Sequence, residues 1–217
     1  MLPLAAFLSE ILSIVFFLVF LKRNKEGGLW IIFFYSIFSA ASEPIGLYVG
    51  QKIGTFYFYA VFSILEYSIF AFFFYLTLKK KKIRFIPIIG TLVFYGIAVY
   101  NFTLKNVQTF DSLSASVEAI LIIIYCLTFL YDQIRNSTDL YIYNTKKFWI
   151  VIGLFLYFSS TLFLFLFAAS LTNEQHSTYW GINNFFEILK NTLFCISFTM
   201  KKSDDRDSIR TFNPDIL

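Results

Sequence analysis

Five carboxylates, one lysine and a cluster of carboxamides fall where the sequence is otherwise apolar. Glu10, Glu43, Glu66, Glu118 and Glu187 each interrupt a long hydrophobic stretch, and the segment WGINNFFEILKN adds Asn183, Asn184, Lys190 and Asn191 around Glu187. A charge at the centre of a bilayer costs on the order of 3 kcal/mol by insertion scales, so five acids require a water-filled or protein-lined environment. Grouped there, they could bind a cation, hold a small polar ligand or relay protons. The plainer alternative is that each glutamate is protonated and hydrogen-bonded to a neighbouring helix as structural glue.

The depth of these acids argues for grouping. Glu10 stands 12 residues before Lys22, Glu66 13 before Lys79, Glu118 14 before Asp132 and Glu187 14 before Lys201. With a helical rise of about 1.5 Å per residue, the four carboxylates share a layer roughly 18 to 21 Å from one membrane boundary. Glu43, seven residues before Gly50, approaches that layer from the opposite chain direction. Pro44, next to it, removes a backbone hydrogen bond and can kink the helix there.

Near the C-terminal end, Asn183, Glu187 and Lys190 follow an i, i+4, i+7 pattern and Asn184, Glu187 and Asn191 follow i, i+3, i+7, so both sets share one helix face. Lys190 lies 11 residues from Tyr179 and from Lys201, too far from either surface to snorkel out easily. Three roles compete for it: an ion pair with Glu187 or a glutamate of another helix, direct contact with an anionic or polar ligand, and a Schiff base.

Seven hydrophobic stretches must position these groups: 2–21, 28–50, 55–78, 85–102, 112–131, 148–171 and 179–200. Each approaches the roughly 20 apolar residues that a membrane helix needs. Backbone amides unpaired in hydrocarbon are too costly for any other form, and the stretches are too long for barrel strands. The expected fold is therefore all-α, a bundle of seven transmembrane helices over 1–202 with a flexible cytoplasmic tail at 203–217. Fifteen of the 18 Lys and Arg residues follow helices 1, 3, 5 and 7, against Lys52 and Lys105 on the other side. That asymmetry predicts an N-terminus outside and a C-terminus in the cytoplasm. Trp30, Trp149 and Trp180 fall near predicted helix ends, where an indole prefers the membrane interface.

Composition excludes other classes. The chain is 58% hydrophobic and 15% charged, with a mean hydropathy of +0.67, more apolar than a water-soluble domain of 217 residues can conceal. Its cations mark membrane boundaries, so the net charge of +4 is no nucleic-acid signature. Cys126 and Cys195 lie inside hydrophobic segments and support neither a disulfide framework nor a metal site. His176, the sole histidine, is expected in an external loop, which excludes an intramembrane zinc hydrolase. The opening MLPLAAFLSE lacks the basic region of a signal peptide, so the first helix is expected to be retained.

Smaller features concern packing. Ser36, Ser39 and Ser42 recur at every third residue beside Ala40 and Ala41, a face suited to close helix contact, and GLYVG from Gly46 to Gly50 matches GxxxG. Helices 3 and 7, and likewise helices 1 and 5, carry glutamates in related positions. Two parallel three-helix units joined by helix 4 would explain this, and such 3+1+3 layouts occur in small transporters.

In overall layout the chain resembles the small, uncharacterised seven-helix membrane proteins of Bacteroidota, over its whole length and above all in the helix 6 opening KKFWIVIGLFLYFSS and the helix 7 pattern INNFFEILKN. That resemblance implies a sensor-like role, by analogy with the seven-helix input modules of signalling proteins. Retinal-binding proteins share the helix number, the orientation and a helix 7 lysine, and Glu66 could serve as counter-ion. Yet helix 6 lacks the usual Trp and Pro of the retinal pocket and no Asp stands four residues before Lys190, so retinal on Lys190 is disfavoured and no cofactor is expected. The function anticipated is a receptor-like or sensory inner-membrane protein, not an enzyme, that binds a small polar ligand or cation in an outward-facing pocket. Two alternatives remain: a small proton- or cation-coupled transporter, and a membrane subunit that contacts a membrane or signalling partner.

Overall fold

The computed structural model describes residues 2–53, 55–103, 112–136, 142–167 and 173–201. They form seven α-helices: α1 (Leu2–Val19), α2 (Gly27–Ile53), α3 (Thr55–Thr77), α4 (Phe85–Thr103), α5 (Ser112–Asn136), α6 (Lys146–Phe167) and α7 (Asn173–Thr199). Short 3-10 turns occupy Leu21–Arg23 and Ile142–Asn144, and no strand occurs among the described residues. The expected tail at 203–217 and the expected end of helix 6 at 168–171 lie outside the described residues.

Helices α1 to α6 are each long and apolar enough to cross a bilayer. Their outer surface agrees, since Val19, Leu92 and Phe163 are 69, 70 and 66% exposed and a continuous face of this kind would aggregate in water. The chain is by these measures a multi-pass membrane protein. At 27 residues α7 is also long enough, but Asn183, Asn184, Glu187, Lys190 and Asn191 make its middle polar.

Six helices close a ring, with α1 against α2 and α7, α2 against α3, α3 against α5, α5 against α6, and α6 against α7. The remaining helix, α4, packs on α3 and α5 from outside. Gly90 permits that docking: a methyl group there would collide with the Tyr125 hydroxyl, which is hydrogen-bonded to Tyr67 at 2.7 Å. Phe94 of α4 stacks on Tyr67 with ring centroids 4.0 Å apart.

Packing inside the ring is largely aromatic. Phe17 stacks on Phe33 at 4.3 Å and meets Trp30 and Phe198 edge-on at 5.0 and 5.1 Å. Apolar transfer does not drive helices together in lipid, so such ring contacts and interhelical hydrogen bonds supply the association. The serine repeat of α2 contributes: Ser36 is bonded to Ser13 of α1 at 2.9 Å, and Ser39 donates to Glu10. Both cysteines are buried free thiols.

The lysine-rich end is closed by a polar knot. Lys146 donates to the Arg23 carbonyl and to Asn24 Oδ1, each at 2.7 Å, while Asn24 Nδ2 and Arg23 reach the carbonyls of Phe198 and Thr199 at 3.2 Å. These carbonyls belong to the last turn of α7, where no intrahelical donor remains.

Several helix ends differ from the sequence expectation. α5 runs on to Asn136, and α7 begins at Asn173 instead of Tyr179. Hydropathy marks where lipid ends, whereas the helical hydrogen-bond ladder continues into water as long as the backbone allows. His176 is therefore helical, in α7, and the expectation of a loop there is corrected. α2 also continues through Pro44 to Ile53.

Candidate functional site

Glutamates from five helices meet at one cavity. It has a volume of about 580 Å³, and its walls include Glu10 of α1, Glu43 of α2, Glu66 of α3, Glu118 of α5 and Glu187 of α7. Glu43 and Glu118 lie toward the ends of α2 and α5 remote from the lysine clusters, while Glu10, Glu66 and Glu187 lie near mid-helix, so the cavity extends from the middle of the bundle toward the end opposite the basic one, where Gly46, Phe58 and Trp180 line it. Asn183 and Asn184 of α7 line it as well.

The five acids are not equivalent. Glu10, Glu66 and Glu118 are buried, at 3, 7 and 2% exposure. The Glu187 side chain is 14% exposed, and Glu43 is exposed at the cavity rim. Ser39 donates to Glu10 Oε1; Glu10 Oε2 is buried, and the Glu187 carboxyl lies within hydrogen-bonding range of Glu10. Glu187 stands within electrostatic range of Glu10, Glu43 and Glu66.

Lys190 lies beneath this cavity, not on its wall. Its ammonium is 1% exposed, donates to the Tyr35 hydroxyl at 2.8 Å and pairs with Glu187 at 3.6 Å. The faces of Tyr157 and Tyr35 approach it at 4.4 and 4.9 Å from their ring centres. Tyr35 in turn donates to Glu66 Oε1 at 2.8 Å, so one chain of contacts runs from α3 through α2 to α7. Tyr157 also donates to Asn183 Oδ1 at 3.2 Å. Of the three roles open to Lys190, the observed contacts are those of the ion pair.

Asn191 takes a different direction from the rest of its cluster. Its Nδ2 donates to Ser9 Oγ at 2.9 Å, and Ser9 donates to the Ala6 carbonyl, so Asn191 ties α7 to α1. The face shared by Asn184, Glu187 and Asn191 thus divides: the first two reach the cavity and the third an interhelical contact.

Tyr35 and Tyr157 were not singled out from sequence, and Ser39 was read there as a packing residue only. Depth counting, applied there to the acids and Lys190, would have found the tyrosines. Tyr35 is 10 residues after Lys25, Tyr157 is 10 after Lys147 and Lys190 is 11 before Lys201, which sets all three at one height. The cavity also has aromatic walls, among them Phe58, Phe62 and Trp180. Among the described residues no three Asp, Glu, His or Cys side chains converge closely enough to hold a metal ion.

Chemically, the arrangement is an acceptor-rich chamber with a single internal cation beneath it, suited to holding a positive or hydrogen-bond-donating guest. Comparison of the chain with known protein families, curated proteins and solved structures finds no match.

Proposed function

We propose that this chain is a receptor-like, sensory protein of a bacterial inner membrane that binds a small polar ligand or cation in its acidic cavity. The observation that carries the reading is the convergence of glutamates from five helices on one chamber. Scattered structural acids would pair singly with neighbouring helices; these surround a common space, and two of them, Glu10 and Glu187, come within hydrogen-bonding range of each other.

In this reading α7 is a seventh span. Its polar residues turn toward the cavity and the neighbouring helices, while Ile182, Phe185 and Ile196 are exposed on its other side, where lipid would accept them. The basic clusters at the end remote from the cavity favour a cytoplasmic C-terminus and an external N-terminus, so the cavity faces outward. The resemblance to seven-helix proteins of Bacteroidota fits a sensory role of this kind.

The ring order favours a second reading, a small cation-coupled transporter. With α4 outside, α1–α2–α3 stand opposite α5–α6–α7, so a half-turn about the ring axis exchanges α1 with α5, α2 with α6 and α3 with α7. Proteoliposomes separate the two readings. A receptor shows saturable binding of methylammonium or sodium without accumulation under a pH gradient. Gradient-driven uptake that Glu118→Gln abolishes contradicts the receptor and supports the transporter.

A further inference from the structure

We infer that the guest is a protonated alkylamine, an ammonium group with N–H donors on a short hydrocarbon chain, in preference to a metal ion or a neutral polyol. The inference rests on the cavity reading above and specifies its ligand class.

Three independent observations lead there. First, the acids of the cavity surround its space without forming a coordination shell, since no three of the relevant side chains converge among the described residues. Divalent metals need several oxygens at about 2.0–2.6 Å around one point. Carboxylates spread over a chamber of 580 Å³ suit a larger cation that touches few of them at once. Second, Glu10 Oε2 is buried, on a residue only 3% exposed, and Glu10 has a second carboxyl, that of Glu187, within hydrogen-bonding range. Two carboxylates this close repel each other unless a proton or donor stands between them, and an N–H of the guest would supply one. A quaternary ammonium has none to offer.

Third, the protein already shows how it accommodates an alkylammonium. Lys190 is a primary amine on a four-carbon stem, and its head is held by a carboxylate at 3.6 Å, a phenol at 2.8 Å and two aromatic faces within 5 Å. The cavity wall offers the same kinds of group: Glu10, with Phe58, Phe62 and Trp180 supplying aromatic surface. Cation–π attraction strengthens when the cation is desolvated, as in such a chamber.

The test is isothermal titration of the purified full-length chain in detergent, at neutral pH, with n-butylammonium, tetramethylammonium, magnesium and glucose. Saturable butylammonium binding is expected, with tetramethylammonium at least tenfold weaker. Glu10→Gln should weaken butylammonium by about ten- to a hundredfold, the loss of a charge-assisted hydrogen bond, and Phe58→Leu by about threefold or more. Each variant is first matched to the parent chain in gel-filtration profile and thermal midpoint; an unmatched Glu10→Gln is replaced by Phe58→Leu as the deciding variant. Equal affinity for tetramethylammonium, binding of magnesium or glucose in place of the amine, or amine binding that folded variants leave unchanged overturns the alkylamine assignment and leaves a ligand cavity standing. No saturable binding by any of the four overturns the cavity reading with it.

Discussion

Replacing Lys190 with methionine removes the ammonium while keeping most of the stem volume, and the contacts of Lys190 set the expected cost. At 3.6 Å and an effective dielectric of about 20, attraction to Glu187 amounts to roughly 4.6 kcal/mol. That is a ceiling, because the Glu187 side chain is 14% exposed and water in the cavity screens it. Removing one partner of a buried pair costs about 3–5 kcal/mol where the remaining charge cannot relax. Here the remaining acid borders a polar cavity, so Lys190→Met is expected to lose about 2–4 kcal/mol by the same reasoning. Glu187→Gln should cost less, since the ammonium keeps the Tyr35 hydroxyl and two aromatic faces. If the two residues act as a pair, the double variant loses less than the sum of the singles, by about 1–3 kcal/mol. Reversible unfolding of the purified protein by SDS, followed by circular dichroism, measures all four corners of this cycle. A coupling below about 0.5 kcal/mol, the scatter expected of independent sites, would refute the assignment of Lys190 as the counter-ion of Glu187.

Two glycines of α4 should behave in opposite ways. Gly90→Ala drives a methyl into the Tyr125 hydroxyl and should cost about 1–3 kcal/mol as overpacking, whereas Gly96→Ala meets open space and should be neutral or gain up to about 1 kcal/mol of helix propensity; the same SDS titration compares them. At the basic end, Asn24→Ala removes both the acceptor for Lys146 and the donor to the Phe198 carbonyl. Because Asn24 is fully buried, a loss of about 2–3 kcal/mol is expected from the groups left unsatisfied, visible as a lower thermal midpoint.

The helices were legible because hydropathy reports directly on what lipid tolerates, and the acidic layer was legible because helical rise turns residue counts into depth. Depth alone gathered Glu10, Glu66, Glu118 and Glu187, yet it could not order the helices around a ring. The exclusion of α4 from that ring left no pattern, since its sequence is apolar on every side and its docking depends on the space above Gly90. The partners of Lys146 were hidden for a related reason. Counted as one of the boundary cations, it stands at that boundary yet is 5% exposed and bonded to the turn after α1; its partner Asn24 is 122 residues away, and no local pattern joins them. Tyr35 was hidden by abundance: among 14 tyrosines, one that bridges Glu66 to Lys190 looks like any other until its height is compared with theirs. The division of Asn191 from Asn184 and Glu187 has the same origin, for a helix face is broad enough to serve a cavity and a neighbouring helix together.

Access to Glu118 from the outer side of the membrane offers the most direct test of the central claim. Glu118→Cys, in a background with Cys126 and Cys195 replaced by serine and alanine respectively, is exposed in intact cells to a small, membrane-impermeant cationic methanethiosulfonate. Rapid labelling that excess n-butylammonium slows is expected if the acids surround an outward-facing, cation-selective chamber. A thiol at this position that stays unreacted in intact cells while reacting fully after denaturation would contradict it.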